Sequence, residues 1–324
     1  MATKTVRPTS WGKVCAIVIG AATMICLMLA AFVAPLINAG PHQLPIAVSA
    51  PAPVTQQLSA QAEKANPGAV ELKNYDSPTS AQQAVKDRKA VGAIALTKQG
   101  VQITTASGAG TPYSTLMHQL GDKLAATGQK VTYTDVAPMS AKDPSGVGVA
   151  ALALPITFGG MSAGALITFL IKDRPYRRLS AALGVAIMGG FAATALDQYG
   201  FSALNGNYLA NAAVLSLAMA SISLMVLGME RRFGMAGMGL VGALLIFLAN
   251  PLSGMGTGWY WLPKPWGFIG QLLPLGAAGT ALRSTAYFDG AGMGFALSVL
   301  VTWALVGLAL FLLGNKRAAK QLSA

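Results

Sequence analysis

Long apolar segments constrain this chain more than any other feature of its sequence. A transmembrane helix needs roughly 20 consecutive, mostly apolar residues, and six segments reach that length without a charged side chain near the middle. The six predicted spans are Val14–Ile37, Gly146–Ile171, Leu179–Tyr199, Tyr208–Met229, Phe233–Leu252 and Met293–Gly314. The sequence therefore predicts an α-helical, multi-pass protein of the cell membrane, in contact with the lipid bilayer.

The composition excludes two other classes of protein. Of the residues, 53% are hydrophobic and only 10% are charged, whereas roughly a quarter of an ordinary soluble domain is charged and a disordered chain has low hydrophobicity. In a soluble protein, the formal net charge of +12 would suggest a nucleic-acid partner. Here the basic residues flank the apolar segments, which is typical of membrane spans, so we expect no nucleic-acid partner.

The first apolar segment has two interpretations. The small residues Asn38, Ala39 and Gly40 resemble a signal-peptide cleavage site. The hydrophobic region of a signal peptide, however, is only about 7–15 residues long, and Val14–Ile37 is longer. We therefore expect an uncleaved membrane anchor.

The distribution of lysine and arginine predicts the orientation. Short cytoplasmic loops carry an excess of these residues. The side of the predicted bundle that holds both termini has twelve, namely Lys4, Arg7, Lys13, Lys172, Arg174, Arg177, Arg178, Arg231, Arg232, Lys316, Arg317 and Lys320. The opposite loops hold none at Gly200–Asn207 and only Lys264 and Arg283 at Ser253–Gly292. Both termini are therefore predicted to be cytoplasmic, and the polar segment 40–145 extracytoplasmic.

Three regions follow from this map: 1–39, with an interfacial segment and the first span; 40–145; and 146–324, a five-helix membrane domain. Segment 40–145 alternates strand and helix patterns, which favours a mixed sheet with helices packed on it. The predicted strands are Leu44–Ser49, Val70–Tyr75, Val91–Leu96, Val101–Thr105 and Lys130–Val136. The predicted helices are Val54–Ala65, one from about Ser77 to Ala90, and Thr111–Thr127. We expect Val101–Thr105 to pair antiparallel with Val91–Leu96.

No pattern for catalysis, cofactor binding or metal binding is found in segment 40–145. His42 and His118 have no Cys or His neighbour at metal-ligand spacing. The run Ser107–Gly110 lacks the G-x-S-x-G order of a nucleophile elbow. We therefore expect a binding or gating module and not an enzyme.

The sequence also lacks a recognisable energy source. No G-x-x-x-x-G-K-[ST] motif occurs, and the glycine-rich run Gly254–Gly258 lacks the lysine that reaches phosphates. Proton-driven carriers place ionisable groups within the membrane, whereas Asp197 and Glu230 lie at the ends of predicted spans. We therefore expect the energy to come from a separate ATPase subunit.

Two further segments are candidate sites. The basic loop after the second span is a candidate ATPase-docking loop, although it is also the ordinary positive-inside signal; its residues are Lys172, Asp173, Arg174, Pro175, Tyr176, Arg177 and Arg178. Segment 253–292, between the fifth and sixth spans, is predicted to be a broken pair of short helices at the outer mouth. It is a candidate external gate or, alternatively, an aromatic membrane anchor; the gate residues would be Trp261, Pro263, Trp266, Pro274 and Arg283.

Two stretches carry a resemblance to a known family. Asp76–Leu96 has a helix, a short basic turn and an apolar strand, and Leu262–Gly290 contains an "LP…LP…R" pattern with Pro263, Pro274 and Arg283 at the matching places. With one span, a large insertion and then five spans, the chain resembles the ABC-2-type permeases, in particular the phage-infection-protein-like subgroup. It departs from that subgroup in having a shorter insertion, and Ser49 stands where an acidic residue is expected.

The resemblance implies a homodimer, or a heterodimer with a similar permease, that works with cytoplasmic ATPase subunits docked in part on the loop after the second span. The function expected from the sequence is therefore a permease subunit of an ABC-type export system, which moves an amphipathic or hydrophobic substrate outward. One alternative is a non-transporting cell-envelope scaffold whose extracytoplasmic domain binds a partner. Another is a membrane enzyme or proton-driven carrier.

Overall fold

The computed structural model describes residues 10–172 and 174–322, with side chains as far as Asn315. Within these residues, five helices are long and apolar enough to cross a membrane, which indicates a multi-pass membrane protein. They are Trp11–Ile37, Val147–Leu170, Pro175–Gly200, Tyr208–Ala249 and Gly294–Asn315. A small α/β domain, residues 44–135, is inserted after the first of them.

The helices and strands follow one another in a simple order. Helix α1 is Trp11–Ile37. The α/β domain contains β1 (Leu44–Ser49), α2 (Ala52–Ala65), β2 (Val70–Asn74), α3 (Pro78–Lys86), β3 (Gly92–Thr97), β4 (Gly100–Thr105), α4 (Thr111–Ala126) and β5 (Val131–Asp135). The rest contains α5 (Val147–Ala151), α6 (Ala153–Leu170), α7 (Pro175–Ala195), α8 (Tyr208–Leu244), α9 (Trp266–Gln271), α10 (Pro274–Tyr287) and α11 (Gly294–Leu322). Single π-helical turns at Leu196–Gly200 and Leu245–Ala249 extend α7 and α8.

The predicted mixed sheet is confirmed. Its five strands have the order β2-β1-β3-β4-β5, and only the β3–β4 pair is antiparallel. All six residues of β1 are buried, as expected of a central strand covered on both faces. Helix α3 begins where the sequence predicts, because the Ser77 hydroxyl and backbone exchange hydrogen bonds with Ser80 in a capping box and Pro78 occupies the first turn.

Helix α8 is not a single straight rod. Its residue Gly234 has φ 68° and ψ −155°, far from helical values. In an uninterrupted helix, residues eight positions apart are separated by about 12 Å along the axis. A Cβ atom built on Gly237 would nevertheless overlap the carbonyl oxygen of Met229. The chain therefore reverses at Gly234, and α8 consists of two helices on either side of this residue.

Glycines allow the helices to pack closely. A Cβ atom on Gly160 of α6 would lie 2.7 Å from the Cβ of Ile222 in the first half of α8. One on Gly242, in the second half, would lie 3.2 Å from the Met161 side chain. Both halves of α8 thus contact neighbouring residues of α6, as antiparallel helices do. The main hydrophobic core lies among α6, α8, α10 and α11.

Helix α7 starts earlier than the sequence suggests. The third span is predicted to begin at Leu179, but α7 begins at Pro175, so residues 175–178 form its first turn and not a loop. Proline suits this position because its missing N–H has no partner in a first helical turn. Of the predicted loop, only Lys172 and Arg174 remain outside a helix, and Asp173 lies outside the described residues.

Candidate functional site

Segment 253–292 contains two short helices, α9 and α10, interrupted at Leu272 and Leu273. Pro274 lies at the start of α10, where proline fits a first turn. Twelve of the fourteen residues of α10 are buried, and the helix contacts α6, α8 and α11 as well as the α/β domain. Helix α10 is therefore a short helix enclosed by longer ones, and it also touches the inserted domain.

Arg283 is the most deeply buried cation of the described residues. Its side chain, on α10, is 2% exposed. Nη1 donates to the carbonyl oxygen of Gly108 in the α/β domain at 3.0 Å, and Nη2 donates to that of Met255. No described carboxylate lies within ion-pair distance of its guanidinium. Arg283 thus joins the domain to the helices through neutral acceptors alone.

A second arginine reaches the same place from the α/β domain. Arg88 follows α3 with a positive φ of 59°, and its partly buried side chain lies over the ring of Phe288, 5.0 Å from its centroid. Nη1 donates to the carbonyl oxygen of Thr280 at 2.8 Å and to the Ser284 hydroxyl. Burial and, secondarily, the charge of Arg283 lower the pKa of Arg88 to about 10. Two like charges therefore approach each other at this interface.

These arginines line a cavity of about 210 Å³ between the α/β domain and α10. Its wall includes Tyr113 of α4, whose side chain is 2% exposed and whose hydroxyl has no hydrogen-bond partner among the described residues. Burial raises the pKa of Tyr113. The other polar side chains of the lining are those of Gln271, Thr280, Trp259 and Tyr260, and none of the described lining residues is acidic. Its aromatic residues are Trp259, Tyr260, Phe268, Phe288 and Phe295.

The five predicted gate residues lie at different places. Pro274 and Arg283 belong to α10. Trp261 packs edge-on against Tyr113 with ring centroids 6.0 Å apart, and its carbonyl oxygen accepts from the Gly40 amide. Pro263 and Trp266 instead line a second cavity of about 470 Å³, beside α1.

The predicted docking residues also divide into two groups. Arg178 is 6% exposed, donates to the carbonyl oxygens of Ile171 and Lys172 and lies 3.4 Å from the Glu230 carboxylate. It holds the end of α6 against α7 and α8, so it is an internal contact. The exposed residues of this segment are Lys172, Arg174, Tyr176 and Arg177, while Pro175 is partly buried.

Two carboxylates meet at the other end of α7. Asp143 accepts from the amides of Val147 and Gly148 at 2.8 and 2.7 Å. Asp197 lies in the π-helical turn, is 7% exposed, and has one oxygen without a partner among the described residues. A Cβ built on Gly148 would lie 2.8 Å from the Asp197 carboxylate and 3.3 Å from the Asp143 carboxylate. Both carboxylates therefore lie beside this glycine.

Sequence reasoning missed Arg88 and Tyr113, two polar residues that line the 210 Å³ cavity. Arg88 lies in a basic turn, where an arginine is ordinarily a solvated surface residue, and Tyr113 lies in an amphipathic helix. Neither has a spacing pattern that marks it, because both meet Arg283 only through tertiary packing. Comparison with known protein families, with curated proteins and with solved structures finds no match.

Proposed function

We propose that this chain is the membrane permease subunit of an export system, moving an amphipathic or hydrophobic substrate outward with energy from a separate ATPase subunit. The observation that carries the proposal is the broken helix pair α9–α10. Non-spanning backbone at membrane depth is tolerated only when protein surrounds it or it lines a cavity. In transporters, interrupted helices of this kind form substrate sites. Helix α10 is buried and borders a cavity.

The proposal includes six crossings of the bilayer, with both termini cytoplasmic and segment 40–145 extracytoplasmic. Support comes from α8, since a straight helix over the 42 residues Tyr208–Ala249 would be about 63 Å long, twice the roughly 30 Å hydrocarbon core. The reversal at Gly234 divides this length into two crossings. Arg231 and Arg232 then lie at the cytoplasmic turn, in agreement with the positive-inside pattern.

This topology can be tested by cysteine labelling. Cys15 and Cys26 are replaced by serine, and either Gln99→Cys, in the exposed β3–β4 turn, or Arg177→Cys is added. We expect a membrane-impermeant maleimide to label the Gln99→Cys variant in intact cells and the Arg177→Cys variant only after permeabilisation. The reverse pattern would refute the proposed orientation.

A proton-driven carrier would need ionisable groups within the membrane. The described acidic residues at the ends of the proposed spans are instead paired or lie at the membrane boundary, so we propose that a partner ATPase supplies the energy. Glu230 is paired with Arg178, and Asp197 lies in the last turn of its helix. The exposed residues Arg174, Tyr176 and Arg177 are available to another protein. Such a partner would recognise this basic surface with acidic groups of its own.

Co-purification tests the partner. We expect a P-loop ATPase to purify with the chain, and its ATP hydrolysis to depend on the chain. The charge-reversed Arg174→Glu/Arg177→Glu variant should lose the ATPase, while Lys130→Glu, on the exposed surface of the α/β domain, should retain it. Recovery of the intact chain without any nucleotide-binding partner would contradict the proposal.

The two rival functions have their own tests. A scaffold would need only the α/β domain outside the cell, so fusing residues 40–145 to one unrelated anchor should preserve its binding of a partner. The same replacement would abolish transport by a permease. A proton-driven carrier is favoured by one observation: Asp197, beside Asp143, has an oxygen that no described residue contacts through a hydrogen bond. Transport that needs no ATPase and is abolished by Asp197→Asn would establish that carrier.

A further inference from the structure

We propose that the cavity of about 210 Å³ between the α/β domain and α10 binds the anionic headgroup of a membrane amphiphile, with Arg88, Arg283 and Tyr113 as its polar contacts. The headgroup chemistry is a phosphate or a carboxylate. The assignment rests on the proposed export function in one respect, that the bound amphiphile is the transported substrate. It makes that function more specific by naming the substrate class.

The unpaired charge is the first argument. A buried cation is costly unless it is paired, and two guanidinium groups share this wall without a carboxylate among the described lining residues. Within the described parts of the chain, the hydrogen bonds of Arg88 and Arg283 all go to neutral oxygens. The Nε and Nη2 donors of Arg88 form no hydrogen bond with any described residue. Guanidinium forks of this kind match the oxygens of phosphate and carboxylate.

The Tyr113 hydroxyl is an independent second argument. A hydroxyl that is buried without a partner destabilises a fold, and buried tyrosines usually satisfy this group. Tyr113 reaches the cavity from α4, whereas Arg88 lies in the turn after α3 and Arg283 lies on α10. Its hydroxyl is unpartnered among the described residues. An anion between the arginines would accept this hydrogen bond.

The size and mouth of the cavity indicate a membrane amphiphile. Pockets for whole drug-sized ligands measure about 300–1,000 Å³, so a cavity of about 210 Å³ fits a headgroup and leaves the tail outside. Phe268 and Phe295 are about half exposed, and their rings stack 6.3 Å apart at its edge. Phe295 is the second residue of a helix that is long and apolar enough to cross a membrane. In the proposed topology this edge therefore lies near the bilayer surface, where the tail can enter the lipid.

Binding to the purified full-length chain in detergent tests the inference. The probe is phosphatidylglycerol with a fluorescent acyl chain, followed by anisotropy; the competitors are unlabelled phosphatidylcholine and inorganic phosphate. We expect phosphatidylcholine to bind at least about tenfold more weakly, and inorganic phosphate not to displace the probe. Losing one hydrogen bond to a charged group should weaken binding about tenfold or more, so we expect that loss for Arg88→Gln and for Tyr113→Phe.

The matched control is Arg177→Gln, which removes an exposed positive charge outside the cavity lining and should leave binding unchanged. Tyr113→Phe removes only a hydroxyl that has no hydrogen-bond partner in the described part of the chain, so this variant should fold at least as well as the unmodified chain. Equal affinity for the two lipids, displacement by inorganic phosphate, or normal binding by both cavity variants would overturn the inference. Because this assay measures lipid binding and neither ATP hydrolysis nor association with an ATPase, its result is separate from the co-purification that tests the export function.

Discussion

Replacing Gly190 by alanine tests how closely α7 approaches α8. A Cβ atom at this position would overlap the Oγ and backbone nitrogen of Ser216 and would lie 2.7 Å from its Cα. Because two of these atoms are backbone, the helices must separate to admit the methyl group, and such overpacking typically costs about 1–3 kcal/mol. We expect the free energy of unfolding, measured by SDS titration of the purified chain in detergent micelles, to fall by that amount.

Gly184 is the matched control on the same helix. A Cβ atom there meets no atom of the described residues within 4 Å, and glycine in a helix interior costs about 0.5–1 kcal/mol relative to alanine. Gly184→Ala should therefore raise the free energy of unfolding slightly, so the two variants should differ in sign and by about 1.5–4 kcal/mol in total. Equal effects in both variants would refute the packing of α7 on α8 described above.

Three further predictions each concern one residue and use the same measurement of the free energy of unfolding. Gly234→Ala should lower stability by about 1–3 kcal/mol, because its φ of 68° is unfavourable for any side chain; Gly239→Ala, which has open space around it, should not. Arg178→Met should lower the free energy of unfolding by about 2–3 kcal/mol, because it leaves Glu230 without its partner. This is less than the roughly 3–5 kcal/mol expected for a fully buried pair, since the Glu230 side chain is 17% exposed. Adding Glu230→Gln should recover much of the lost stability. Asp143→Ala should cost about 0.5–2 kcal/mol, because two amides at the start of α5 lose their acceptor; an equally stable variant would show that these bonds contribute nothing.

The local structure of the α/β domain could be predicted closely from sequence. The strand from Leu44 to Ser49 and the start of α3 at Ser77 are as expected, because both depend on neighbouring residues: an apolar run and a capping sequence. The strand order could not be predicted from neighbouring residues in this way. It depends on which strands meet across the whole domain, and only the β3–β4 pairing, set by the short turn at Gly100, was predictable.

The candidate site shows where sequence reasoning ends. Arg283 could be singled out because it occupies the arginine position of the family-like pattern, but its contact with Gly108 crosses 175 positions of the chain. Likewise, Arg178 looks like any exposed basic residue until its contacts with Ile171 and Glu230 are known. The same holds for Gly184 and Gly190, which share one helix and differ only in what faces them.

The reversal at Gly234 has a consequence for biosynthesis. In the proposed topology, the two halves of α8 can enter the bilayer together as one helical hairpin, because they can pack against each other as soon as both have left the ribosome. Their connection carries Arg231 and Arg232, which stay on the side of synthesis, and no large polar segment has to be translocated at this step. Among the described helices, α1 is the one followed by a large polar domain, so in the proposed topology the secretion machinery translocates that domain after α1 has entered the membrane.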